Sequence, residues 1–171
     1  MYSPQEVANY FLKKGKTEQK EITPMKLQKL LYFAHGWYLA ETGKPLLNET
    51  IEVWKYGPVV SSIYEFFKSY GNDPIQNYVE YISPSGSSFY QPTLKANNKE
   101  VLDILDGVWY IYSDFSARTL SNMTHEEGTP WSQIVDEHGG IENVQRGKDI
   151  EDYRIRQYFV DKLKLVKNGR E

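Results

Sequence analysis

"TPMKLQKLLYFAHGWYLAETG", residues 23–43, decides the fold. Thr23 followed by Pro24 is a helix start: the hydroxyl caps free backbone N–H groups, and proline presets the first helical dihedral. Gly43 supplies the matching stop, so the spacing predicts a helix from Thr23 to about Glu41. Leu27, Leu30, Leu31, Ala34 and Tyr38 repeat at the helical period, and Phe33 and Trp37 add a second apolar flank. A helix apolar over so much of its circumference must be covered from several sides. It is the centre of the fold.

The same start signal recurs at Ser3-Pro4 and Thr129-Pro130, and Ser3 with Glu6 has capping-box spacing. A first helix is expected to about Lys14, with Gly15 as its stop. "IEVWKYG" (51–57) reads as a short strand on which Trp54 and Tyr56 share a face, and Gly57-Pro58 is expected to return the chain to helix. Ile63, Phe66, Phe67 and Tyr70 mark that helix, ended by Gly71. "NYVEYIS", a Pro-Ser-Gly turn and "SFYQPTL" suggest a β-hairpin with Pro92 on an edge strand. Asn97 and Glu100 suggest the cap of a helix to Tyr112, with Val101, Leu105 and Val108 on its stripe. Two short helices follow in "SDFSARTLSNMTH" and "TPWSQIVDEHGG", and a last one runs over about 150–166. The reading is mainly α: residues 1–171 as one domain of six or seven helices with a small antiparallel β element.

The chain has 171 residues, enough for one domain with a buried core. Its aromatic share is 15%, with 14 tyrosines, which suits a recognition surface better than disorder. A net charge of −3 gives no electrostatic reason to expect nucleic acid. The one basic run, Lys162, Lys164, Lys167 and Arg170, reads as a solvated helix end. No cysteine is present, which excludes disulfides, thiolate metal sites and cysteine nucleophiles. "MYSPQEVANYF" lacks the basic and apolar regions of a leader, and no stretch is long and apolar enough for a membrane span. A cytoplasmic protein is expected.

"MTHEEGTPW" (123–131) is the densest cluster of chemical groups. A hydrolase reading would give His125 and Glu126 the general acid and base roles. Neighbouring residues on a helix or turn do not face each other, however. The structural reading accounts for nearly every letter: Gly128 turns, Thr129 caps, Pro130 starts a helix, Trp131 anchors it, and His125 bonds backbone or interacts with a helix end. His35, His125 and His138 have no metal-ligand spacing, and neither a nucleophile elbow nor a phosphate loop is present. No catalytic residue, metal or cofactor is expected. Trp54, just before "KYGPVV" (55–60), and Tyr56 within it read either as core or as an aromatic binding patch.

Three segments in this order, "ITPMKLQKLLYFAHGWYLAETGKPLL", "IEVWKYGPVVSSIYEFFKSYG" and "LSNMTHEEGTPW", resemble the Panacea domain family, also described as SocA-like or phage-associated proteins. The resemblance covers about residues 5–135, through LxKLLYFAxGW, YGPV and THxxxxPW together. It implies an antitoxin that neutralises a toxin encoded by an adjacent gene through direct protein contact, without catalytic residues. One branch of the family delivers its toxin to an ATP-dependent protease, so a proteolytic adaptor is the alternative. Motif position and residue type nominate Trp37, Trp54, Tyr56 and His125 as partner-binding residues.

Overall fold

The computed structural model describes residues 1–95 and 98–168, and the molecule is mainly α. Among the described residues there are seven helices: α1 (Pro4–Glu18), α2 (Pro24–Thr42), α3 (Ser61–Phe67), α4 (Lys99–Tyr112), α5 (Ala117–His125), α6 (Pro130–Glu137) and α7 (Asp152–Asn168). Five short strands accompany them: β1 (Ile51–Trp54), β2 (Gly57–Val59), β3 (Tyr81–Ile82), β4 (Phe89–Tyr90) and β5 (Asp149–Ile150).

α2 is the axis of the fold, with α1, α4, α5, α7 and β2 packed around it. Leu27, Leu30, Leu31 and Ala34 are completely buried, and Tyr32 is nearly so. Phe33 stacks on Tyr112 of α4 with ring centres 4.2 Å apart. Gly36 explains how α7 comes so close: a methyl group there would overlap the ring of Phe159, itself buried. A single missing side chain lets two helices share an aromatic contact.

His35, beside that glycine, joins three parts of the chain. The backbone N–H of Leu47 donates to its Nδ1 at 3.3 Å, so Nε2 carries the ring proton and donates to Asp152 Oδ1 at 2.9 Å. The loop after α2 and the first turn of α7 are thereby tied to the central helix. The side chain of Trp37 donates to the Tyr112 hydroxyl at 3.0 Å and meets Phe159 edge-on.

The caps follow the sequence. Ser3 and Glu6 form the reciprocal capping box, while Thr23 and Thr129 accept from Lys26 N–H and Ser132 N–H. Gly43 ends α2 with φ 71°. α1 departs from expectation: it continues through Gly15 to Glu18 and is capped by Gln19 at φ 55°. Gly15 is small for a tertiary reason, since a methyl group there would sit 2.8 Å from both Ile22 Cδ1 and Lys20 O. Asn97 and Arg170 lie outside the described residues; the residue capping α4 is Asn98, which accepts from Val101 N–H.

β1 pairs antiparallel with β2 and β5, and Trp54 faces Gly57 across the hairpin. Lys55-Tyr56 is therefore its two-residue turn, and Gly57 takes φ 98°. Two expectations are corrected here. Gly57-Pro58 does not start a helix: it lies in β2, an edge strand that tolerates proline, and α3 begins at Ser61. Trp54 and Tyr56 share no strand face, because Tyr56 has already left the strand for the turn. The second hairpin is as expected, with Tyr81 opposite Tyr90 and Pro92 just beyond the strand.

Candidate functional site

The β1–β2 hairpin tip is held by side chains from three other elements. Trp131 Nε1–H donates to the carbonyl of Trp54 at 2.8 Å, and Ser121 Oγ–H to that of Tyr56 at 3.0 Å. Lys29 Nζ of α2 donates to the carbonyl of Pro58 at 3.0 Å, and His125 Nε2 lies 3.3 Å from that of Lys55. Three carbonyls of one hairpin thus accept from side chains of α2, α5 and α6, and the His125 ring lies against a fourth. A hairpin of three and four residues has little stability of its own, so these donors set where its tip projects.

The α5–α6 corner is built for that task. Thr129 Oγ1 donates to Thr124 O at 2.8 Å while capping α6, and Thr124 Oγ1 donates to Ser121 O at 2.7 Å. Both threonines are buried, and Gly128 turns the chain between them at φ 79°. His125 Nδ1 lies 2.6 Å from Ser121 O, and the imidazole packs on Trp131 with ring centres 4.0 Å apart. Both ring nitrogens therefore face backbone carbonyls. Glu126 and Glu127 point to solvent and make no hydrogen bond to the imidazole. "MTHEEGTPW" acts as a helix-to-helix lock on the hairpin.

Lys29 is the residue that sequence reasoning missed. Its side chain is 1% exposed, and burial pushes its amine down to about 7. Gly57 makes room for it: a methyl group there would lie 2.6 Å from Lys29 Nζ and 2.5 Å from Thr124 Oγ1. A lysine inside the apolar "KLQKLL" run was the available signal.

The structure gathers three of the four nominated residues. Trp54, Tyr56 and His125 meet at the hairpin tip, where Tyr56 is 61% exposed and Trp54, partly buried, packs against Tyr64 at 4.7 Å. Trp37 is elsewhere, partly buried on α2 beside α4 and α7. Among the described residues no group of three or more His, Asp or Glu is placed to hold a metal. No described helix is long and apolar enough to cross a membrane.

Comparison with known proteins gives a consistent result. The family described as "Antitoxin SocA-like, Panacea domain" matches residues 27–132, from the first turn of α2 to the first turn of α6. Antitoxin SocA of Caulobacter vibrioides (strain NA1000 / CB15N) is 32% identical over 153 residues, covering 90% of this chain and 80% of that protein. No solved structure is significantly similar.

Proposed function

The chain belongs to the antitoxin SocA-like Panacea family, and from that membership we propose that it neutralises a toxin encoded by a neighbouring gene, by direct contact in the cytoplasm. The observation that carries this reading is the 32% identity to an antitoxin over 90% of the chain. The geometry agrees with a binding protein. Lys29, Ser121, Thr124, Thr129 and Trp131 of the three motifs are engaged with backbone carbonyls, while an aromatic hairpin tip faces solvent. Tyr56 and Trp54 supply contact area at the tip, and His125 positions it. Rigid aromatic side chains on a braced turn lose little entropy on binding.

Neutralisation by masking is the version we favour, and the test is co-expression with the adjacent open reading frame. The neighbour alone should arrest growth. With this chain present, growth should return, the two proteins should co-purify, and the neighbour's half-life should be unchanged in a pulse-chase. A harmless neighbour that does not co-purify would overturn the reading. Shortened lifetime with restored growth would replace masking by delivery to a protease.

A further inference from the structure

Two residues that each disfavour the free fold face the same groove, remote in sequence from the hairpin tip. Gly107 lies in the interior of α4, where glycine is the least favourable residue apart from proline. No turn, positive φ or tight packing requires it, since a methyl group there would meet nothing within 4 Å. Glu41 lies in the last turn of α2, the end at which the helix dipole repels an anion, and that turn has no basic residue. Both line a groove of about 650 Å³ between α2, α4 and the end of α7.

The lining has a pattern. Ile104, Gly107, Val108 and Ile111 follow i, i+3, i+4, i+7 on α4: Ile104 and Val108 belong to the buried core and form the floor, and Gly107 and Ile111 carry the apolar strip outward from it. Ile111 is 51% exposed, and Trp37 lines the same groove from α2. Glu41, Glu100 and Asp103 border it against one lysine, Lys99. Among the described residues, none of these three carboxylates forms an ion pair. Among the described side chains the border is acidic and unpaired, the floor is apolar, and a gap opens at Gly107.

We propose that this groove receives an amphipathic helix from a partner protein, with a large apolar side chain seated over Gly107 and basic residues against Glu41, Glu100 and Asp103. The lined part of α4, from Lys99 to Ile111, is about 20 Å long, which matches about four turns of such a helix. Seating that side chain recovers the disadvantage of Gly107, and cationic neighbours recover that of Glu41. Assigning the helix to the toxin rests on the antitoxin reading; the groove's chemistry does not.

The experiment uses the full chain and two designed peptides of about 14 residues. Both carry leucine along one helical face; one has lysine on the other face, its counterpart glutamate. In a titration followed by nuclear magnetic resonance, the Leu/Lys peptide should shift the Trp37 indole and Gly107 amide signals. The Leu/Glu peptide should bind at least about tenfold more weakly. Gly107→Leu places a side chain in the gap from a position where the added Cβ meets nothing within 4 Å, so it should keep or raise Tm while abolishing the shifts. Glu100→Lys with Asp103→Lys should reverse the peptide preference. Absence of binding, binding that leaves those two signals unmoved, or binding undiminished in Gly107→Leu would overturn the groove proposal. Co-expression then tests the owner of the helix. If wild type rescues growth and Gly107→Leu does not, the toxin occupies the groove. If both rescue, the groove is not the toxin's site, whereas failure of wild type alone to rescue would sink the antitoxin reading and leave the peptide result standing.

Discussion

At the scale of single residues, two positions of α2, one through its buried charge and one through its missing side chain, have consequences that can be measured. Lys29 is buried with its amine pushed down to about 7, whereas in the unfolded chain it titrates at about 10.4. Between those values the unfolded state holds a proton that the folded state has released, so stability rises as pH rises. Across about pH 7 to 9.5 this one group contributes up to about 1.4 kcal/mol per pH unit. The raised pKa values of buried tyrosines such as Tyr112 act in the opposite direction, but only nearer pH 10. Urea unfolding across this window should therefore show a slope that Lys29→Met flattens; an unchanged slope in the variant would remove Lys29 as its source. Seven residues along, Gly36 faces the ring of Phe159. Gly36→Ala should cost about 2–3 kcal/mol through overpacking, read as a lower urea midpoint.

At the scale of elements, the α5–α6 corner and the β1–β2 hairpin behave as one unit. Trp131→Phe keeps an aromatic anchor but removes the donor to Trp54 O, so a loss of about 1–2 kcal/mol is expected from thermal unfolding. His125→Ala should cost about 1 kcal/mol and weaken growth rescue in part, since its ring packs on Trp131 and faces the Lys55 carbonyl. Glu126→Gln, at an exposed position, should change neither. Complete loss of function in both His125→Ala and Glu126→Gln, with unfolding temperatures unchanged, would restore a hydrolase reading. This unit also shows what was legible beforehand. The caps at Ser3, Thr23 and Thr129 are local signals, because hydroxyl, proline and backbone lie within four residues of one another, and all three hold. Gly15 and Gly57-Pro58 were misread for a common reason: the contacts that explain them, to Ile22 and to Lys29 and Thr124, come from elsewhere in the chain. Proline sets φ at the head of a helix and equally in an edge strand, so Pro58 alone does not distinguish them. The apolar run around Lys29 signals a buried lysine but not its role, because its partner is a main-chain carbonyl, which no side-chain pattern records.

At the scale of the molecule, the family match of residues 27–132 stops short of structure that the fold requires. The buried cluster runs from Val7 of α1 to Phe159 of α7, with Ile150, Ile155 and Phe159 each no more than 2% exposed. Burying three such side chains contributes roughly 5–9 kcal/mol, comparable to the 5–15 kcal/mol net stability of an ordinary domain. Removing α7 would also leave the Nε2–H of His35 without Asp152 and open the groove at Leu163. A chain ending at Gly147 is therefore expected to lose cooperative unfolding, with helical circular dichroism declining gradually instead of through a sharp transition. The substitution Asp152→Ala isolates one part of that effect: it should cost about 1–3 kcal/mol through an unpaired buried donor while leaving α7 docked. If the chain ending at Gly147 melts sharply, residues 1–147 are self-sufficient and α7 is an accessory. If it does not, the segments that match the family and the segments that complete its core are different parts of the chain, and both are needed to hold the hairpin tip and the acidic groove in place.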